Sequence, residues 1–170
     1  YSIGLSIGFG GFLEKIRKFK VLNKDKKDFY DAEEKCVLAI IRFIDRHIDK
    51  IKQLLQIEKR DELRSSLSKM LAACEHIRLD APKTFHEACQ FVVFFNCASR
   101  IYTRDGAGFQ LDTLLYPYYR NDKETGILDD ETAKFLLSNL YLTDPHYYQL
   151  SGVDENDCDL TNPLSYLALE

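Results

Sequence analysis

Residues 84–98 constrain the fold more than any other stretch of this chain. Thr84-Phe85-His86-Glu87 has the form of a capping box, in which the Thr84 hydroxyl takes the N–H of Glu87 and the Glu87 carboxylate reaches back. The residues that follow, Ala-Cys-Gln-Phe-Val-Val-Phe-Phe-Asn-Cys-Ala from Ala88 to Ala98, are apolar on nearly every side of a helix. Such a helix has to be surrounded, and Gln90 and Asn96 within it need buried hydrogen-bond partners. A chain of 170 residues can hardly enclose it, which implies further structure around it. The run is about half of the roughly 20 apolar residues that cross a bilayer, so no membrane span is expected.

The remaining periodicity is also helical. A long helix is expected from Asp28, its N-cap, with Phe29, Ala32, Cys36, Val37, Ile40, Ile41, Ile44, Ile48, Ile51 and Leu55 on one face. A second covers about 60–77, with Leu63, Leu67, Met70, Leu71 and Cys74 as its buried stripe; His76 and Arg78 suit the negative end of its dipole. Residues 112–119 read as a short helix that Pro117 kinks or ends. Gly126 closes that segment, and Asp129 or Asp130 caps a helix carrying Ala133, Phe135, Leu136, Leu140 and Tyr141. After an acidic loop, 143–161, Asn162-Pro163 is an N-cap followed by proline at the first helical position. That last helix is expected to run into the end of the chain. Residues 1–11 read as a short strand or as a loop running into a helix near Phe12–Phe19, 21–27 as a solvated link, and 103–111 as a turn with a short strand.

Composition excludes several classes. With 45% hydrophobic residues, 29% charged, eight Gly and four Pro, the chain is neither disordered nor collagen-like. Net charge is −4 and no basic block occurs, so no nucleic-acid partner is expected. No secretory signal is visible. The five cysteines are odd in number and lack a CxxC; they read as reduced, buried thiols of a cytoplasmic protein, with no disulfide framework and no metal site. Gly8-Phe9-Gly10 suggests a dinucleotide loop, but the third glycine would fall at Leu13. The acidic residues from Asp154 fail as a calcium loop, because the sixth position is Asp159 and the twelfth Ser165. There is no GxSxG, HExxH or P-loop. The aromatic residues of 91–95 and 116–119 read as core. Tyr1 at one end, and Leu169-Glu170 inside a helical pattern at the other, read as cuts through a longer protein.

Four stretches, in order, resemble the pyruvate formate-lyase-like family of glycyl radical enzymes. They are Phe29-Tyr30-Asp31-Ala32 with Ile40-Ile41-Arg42-Phe43-Ile44-Asp45-Arg46; Ala81-Pro82-Lys83-Thr84-Phe85-His86-Glu87-Ala88-Cys89-Gln90, the most specific; Asp112-Thr113-Leu114-Leu115-Tyr116-Pro117-Tyr118-Tyr119; and Ser151-Gly152-Val153-Asp154-Glu155 with Asp159-Leu160-Thr161-Asn162-Pro163-Leu164-Ser165-Tyr166-Leu167. The resemblance implies that residues 1–170 are a mainly α segment of the ten-stranded α/β-barrel fold of that family. It implies a lyase, dehydratase or decarboxylase in which a cysteine thiyl radical abstracts hydrogen from a small polar substrate. The glycyl radical would sit in the C-terminal part of the family, so no cofactor is expected on this segment. The implied partners are an S-adenosylmethionine-dependent activating enzyme, the small-molecule substrate and a second copy in a homodimer.

Many members carry Ser-x-Gly-Arg-x-Asp-Gln where this chain has Ala107, Phe109, Gln110, Asp112 and Thr113. The arginine's fixed charge is replaced by a neutral amide, and Phe9 stands where an early histidine follows glycine, which points to a divergent subgroup. Asp105, Ala107, Gln110 and Asp112 are the candidate substrate-binding residues; no catalytic residue is assigned within the chain. The competing reading has Asp112 as a helix cap and Gln110 as a surface turn residue. For the function as a whole, the competing reading is a non-catalytic helical interaction module or a degenerate relative. By itself the segment is expected to be inert, and to self-associate through Phe91–Phe95.

Overall fold

The computed structural model describes residues 1–99, 110–145 and 147–170. Seven α-helices are seen among the described residues: α1 (Ser2–Leu22), α2 (Lys27–Ile57), α3 (Asp61–Ile77), α4 (Phe85–Ser99), α5 (Leu111–Glu124), α6 (Asp130–Thr143) and α7 (Pro163–Leu167). No strand occurs among them, only two isolated bridges, Gln110 with Gln149 and Val153 with Asp159. The mainly helical expectation holds. The chain divides into two compact units, residues 3–82 and residues 1–2 with 83–170.

In the first unit α2 and α3 form a helical hairpin. Three residues, 58–60, reverse the chain, too few for anything but neighbouring antiparallel helices. Arg64 donates to the carbonyls of Leu55 and Glu58, at 2.6 and 2.9 Å, satisfying the orphan C-terminal acceptors of α2. Glu58 is gripped by the Arg60 side chain and by the amides of Arg60 and Lys59, which lowers its carboxyl to about 2. Ile41, Ile44, Ile48 and Ile51 of α2 are buried, as are Ala73, Cys74 and Ile77 of α3. Ion pairs of Arg78 with Asp45 and Lys52 with Glu75 run across the hairpin.

The N-terminal stretch is helical, against the strand or loop expected for residues 1–11. Gly8 interrupts α1 with φ +64° and ψ 179°. There the helix passes against the chain that leaves α3: the Gly10 amide donates to the Leu79 carbonyl at 2.7 Å. A Cβ on Gly8 would lie 2.5 Å from Asp80 C and 2.6 Å from Leu79 O. The glycine cluster serves this close backbone approach, not a nucleotide. Two other expectations fail locally. Lys26, without a side-chain cap, precedes α2, and Asp28 lies within its first turn. Phe29 is 59% exposed, and Leu63 and Met70 of the α3 stripe are also open to solvent.

In the second unit α4 packs on α5 and α6, and α7 packs on both of those. The capping box forms: the Glu87 amide donates to Thr84 Oγ1 at 3.2 Å, and Glu87 Oε2 accepts from the amides of Lys83 and Thr84. Phe85, Ala88, Phe91, Val92, Leu111, Leu115, Leu137, Leu140 and Leu164 make the core. Phe91 is wholly buried and Phe94 nearly so, while Val93 and Phe95, of the stretch through which self-association is expected, are half-buried.

Pro117 lies inside α5 and does not end it. Proline removes one backbone bond, and the burial of Leu115 and Tyr119 on either side outweighs that loss. Gly126 closes α5 with φ +73°, and Asp129 caps α6 by accepting from the Thr132 amide at 2.7 Å. Asn162 caps α7 with Ser165 in a reciprocal box, and α7 stops at Leu167 instead of running on. The Gly126 turn and the Asp129 and Asn162 caps are therefore local events that the residue types specify.

Candidate substrate site

Gln110 precedes the first residue of α5 and is half-buried; Asp112, in the first turn, is fully buried. A buried carboxylate needs donors for its oxygens. Asp112 Oδ1 accepts from the Thr113 amide at 2.8 Å. Oδ2 accepts from the Ser151 amide at 2.8 Å and from the Ser165 hydroxyl. Ser165 Oγ in turn accepts from the Asn162 amide at 2.9 Å. One carboxylate thus joins the start of α5, the 151–152 turn and the start of α7.

The main chain is joined at the same place. The Leu111 amide donates to the Gln149 carbonyl, and the Leu160 amide to the Gly152 carbonyl, both at 2.9 Å. Ser151 and Gly152 have positive φ, +57° and +113°. The terminal amide of Gln110 lies against Gly152, where a Cβ would collide with its Nε2. Of the four expected site residues, Gln110 and Asp112 come together here; Asp105 and Ala107 lie outside the described residues. Asp112 is not the helix cap of the competing reading: Gln110 stands at the N-cap without a side-chain cap bond, and two of the Asp112 partners are 39 and 53 residues away. Ser151 and Ser165, the distant partners of Asp112, are not among the sequence-based candidates. The only signal for them was the presence of both stretches among the family-like motifs.

Two further buried polar points brace the second unit. Asp122 Oδ2 accepts from the Phe85 amide at 2.7 Å, tying α5 to the start of α4, and the Phe85 ring meets Tyr119 edge-on with centroids 6.0 Å apart. The Asn96 side chain donates to Asp144 Oδ2 at 2.6 Å and to Tyr148 Oη at 3.4 Å, and accepts from the Tyr1 hydroxyl at 2.7 Å. These are the buried partners that Asn96 required. Burial pushes Tyr141 up to about 12. Burial, and then the hydrogen bond to Asp130, push Tyr119 to about 12.

The thiols divide unlike the sequence expectation. Cys36, Cys97 and Cys158 are exposed; Cys74 and Cys89 are buried, and burial raises both, Cys74 to about 11. Among the described residues, no group of three or more His, Cys, Asp or Glu could hold a metal ion, and no helix is long and apolar enough to cross a membrane.

The mainly helical fold is what the glycyl radical enzyme resemblance implies for residues 1–170. The pyruvate formate lyase-like family model matches residues 1–170, and the chain belongs to that family. It is 28% identical over 148 residues to the isethionate sulfite-lyase of Bilophila wadsworthia, covering 80% of this chain and 18% of that protein. It is 25% identical over its whole length to the (2S)-3-sulfopropanediol dehydratase of Klebsiella oxytoca, covering 24% of that protein. A solved glycyl radical enzyme from Archaeoglobus fulgidus superposes with a TM-score of 0.87 at 26% identity, over 97% of this chain and 25% of that one. The chain therefore spans about a fifth to a quarter of the length of these relatives.

Proposed function

We propose that the whole protein containing this chain is a glycyl radical lyase, dehydratase or decarboxylase that acts on a small polar substrate. In this reading a cysteine thiyl radical, generated by a glycyl radical on a C-terminal loop, abstracts hydrogen from the substrate. An activating enzyme that uses S-adenosylmethionine and an iron–sulfur cluster installs the glycyl radical. The assembly is a cytoplasmic homodimer. The chain described here supplies helical scaffold and one wall of the substrate pocket, and alone it is inert. The observation that carries the reading is the family match over residues 1–170 together with the lyase and dehydratase among its relatives.

Within that wall Asp105, Ala107, Gln110 and Asp112 line or support the pocket. Asp112 supports it, because its oxygens are engaged by Thr113, Ser151 and Ser165. Gln110 is the better candidate for direct contact, as a half-buried neutral amide at the head of α5.

The test is the complete reading frame together with electron paramagnetic resonance. The reading expects a cysteine loop and a terminal glycine motif downstream, and a carbon-centred radical signal after anaerobic activation. A frame lacking both loops would sink the enzyme reading and favour a non-catalytic relative.

A further inference from the structure

We infer that the cleft between α1 and α2 seats an amphipathic helix of a partner protein whose flanks are acidic. Phe12, Ile16 and Phe19 of α1 and Phe29, Cys36 and Val37 of α2 line this cleft, which has a volume of about 500 Å³. The α1 residues recur at i, i+4 and i+7, and those of α2 at i, i+7 and i+8. Each wall is therefore about two helical turns long, and apolar anchors over such a length are what a docked helix meets in a groove. Phe19 is 41% exposed and Phe29 59%, and the Cys36 thiol is open to solvent. Apolar rings left open together in one concave place mark an interaction surface, where single scattered ones do not.

Charge selects the occupant. Residues 15–27 hold seven Lys and Arg and one acid, Asp25, in a chain of net charge −4. Interleaved with apolar residues they make no block in the sequence, but they lie on the end of α1 and the link into α2, which border the cleft. Arg17, Lys20 and Lys27 are engaged by Asp31 and Glu34. Lys15, in the cleft wall, and Lys18, Lys24 and Lys26 are exposed and make no ion pair among the described residues. Uncompensated cations beside an apolar cleft attract acidic groups. An anionic lipid surface carries such groups too, but the cleft is concave and its wall also holds Glu33, with Asp25 and Asp28 exposed nearby in the chain. A uniformly anionic surface is repelled by these acids, whereas a helix can set a base or a neutral residue opposite them.

The experiment uses the whole protein and two labelled synthetic helices, both with leucine along one face, one with glutamate on its flanks and the other with lysine. Binding is read by fluorescence anisotropy and by the alkylation rate of Cys36, in the cleft wall, against that of Cys158, which is exposed elsewhere in the chain. The acidic helix should bind, slow Cys36 about tenfold or more at saturation, and leave Cys158 unchanged. Lys15→Glu with Lys18→Glu, both at exposed positions, should weaken binding about tenfold or more, and raised salt should weaken it in the same direction. Should the two glutamates perturb α1, Lys15→Gln with Lys18→Gln should weaken binding to a smaller extent. Unchanged affinity in the charge variants, equal binding of the lysine helix, or binding that leaves Cys36 reactive overturns the proposal. So does a Cys36 already shielded in the whole protein, because its own chain then fills the cleft. Protection of Cys36 that rises with protein concentration makes the occupant a second copy, and protection by phosphatidylserine vesicles without any by the acidic helix makes it a membrane; either result overturns the proposal.

Discussion

The hydroxyl of Ser165, at the start of α7, donates to the buried carboxylate of Asp112, 53 residues earlier in the first turn of α5. The same hydroxyl accepts from the Asn162 amide, so it is used in both directions. Removing the carboxylate in Asp112→Ala strands three donors: the amides of Thr113 and Ser151 and the Ser165 hydroxyl. At about 1–3 kcal/mol per stranded buried group, with incomplete additivity, the expected loss is about 3–5 kcal/mol. Ser165→Ala removes the cap partner and one donor, and should cost about 1–2 kcal/mol. In urea unfolding the double variant should lose less than the two single losses combined. Strict additivity, or a loss under about 0.5 kcal/mol for Asp112→Ala, would show that the joint is not a unit.

Gly8 carries a second prediction. Gly8→Ala places a methyl against the backbone of residues 79–81, which no rotamer change can relieve. The Gly8 combination of φ +64° with ψ 179° is a backbone region essentially reserved for glycine and alone costs about 1–3 kcal/mol. With the backbone collision the total should reach about 3 kcal/mol or more, measured as a fall in thermal and urea stability. Gly126→Ala meets no neighbour and should show the conformational cost only, about 1–2 kcal/mol. Equal losses at the two positions would remove the close approach as the reason for Gly8.

Much of this was legible because the signals are local. The Thr84–Glu87 box, the Asp129 cap and the Asn162-Pro163 start each depend on residues within a few positions, and each forms. The α2 core stripe from Ile41 to Ile51 follows directly from its spacing. Hidden features depend on residues far apart. Helicity in 2–11 coexists with a glycine run because the 79–81 backbone packs against it. Pro117 is carried within α5 by the burial of its neighbours. Cys36 sits among apolar residues by spacing, yet that end of α2 faces solvent beside exposed Phe29. At the candidate site, Gln110 and Asp112 were identified by family resemblance. Their partners at 149–152 and 165 lie 38 or more residues on, beyond any periodicity argument.

Thiol chemistry checks the burial pattern. Burial raises the Cys74 thiol to about 11, so at pH 8 only about one molecule in a thousand carries the thiolate that reacts. Cys89 is raised in the same direction by its burial. In a maleimide or Ellman's time course on the native chain, Cys36 and Cys158 should react first, and Cys74 and Cys89 only as the protein unfolds. Mass mapping that found Cys89 labelled as fast as Cys36 would contradict the packing of α4.

Acid sensitivity of the first unit should be traceable to Asp31. Its carboxylate receives Lys20 of α1 and Lys27 of its own helix, and these hydrogen bonds lower it from 3.8 to about 2. Lys20 also reaches Glu34 at 3.2 Å, and Arg17 reaches Glu34 at 2.7 Å. A carboxyl that is lowered on folding stabilises the folded state above its unfolded value and loses that contribution as pH falls through the folded one. The contribution is therefore full above about 3.8, declines between 3.8 and about 2, and is gone below that. Asp31→Asn should destabilise the chain at pH 7, and its difference from the native chain should shrink as pH falls toward about 2 and vanish below it. The cluster is partly open to solvent, so 1 M salt should shrink the difference at pH 7 as well. Unfolding midpoints for the two proteins at several pH values, with and without salt, decide it. A difference that persists unchanged to pH 2 would mean that Asp31 acts through packing and not through charge.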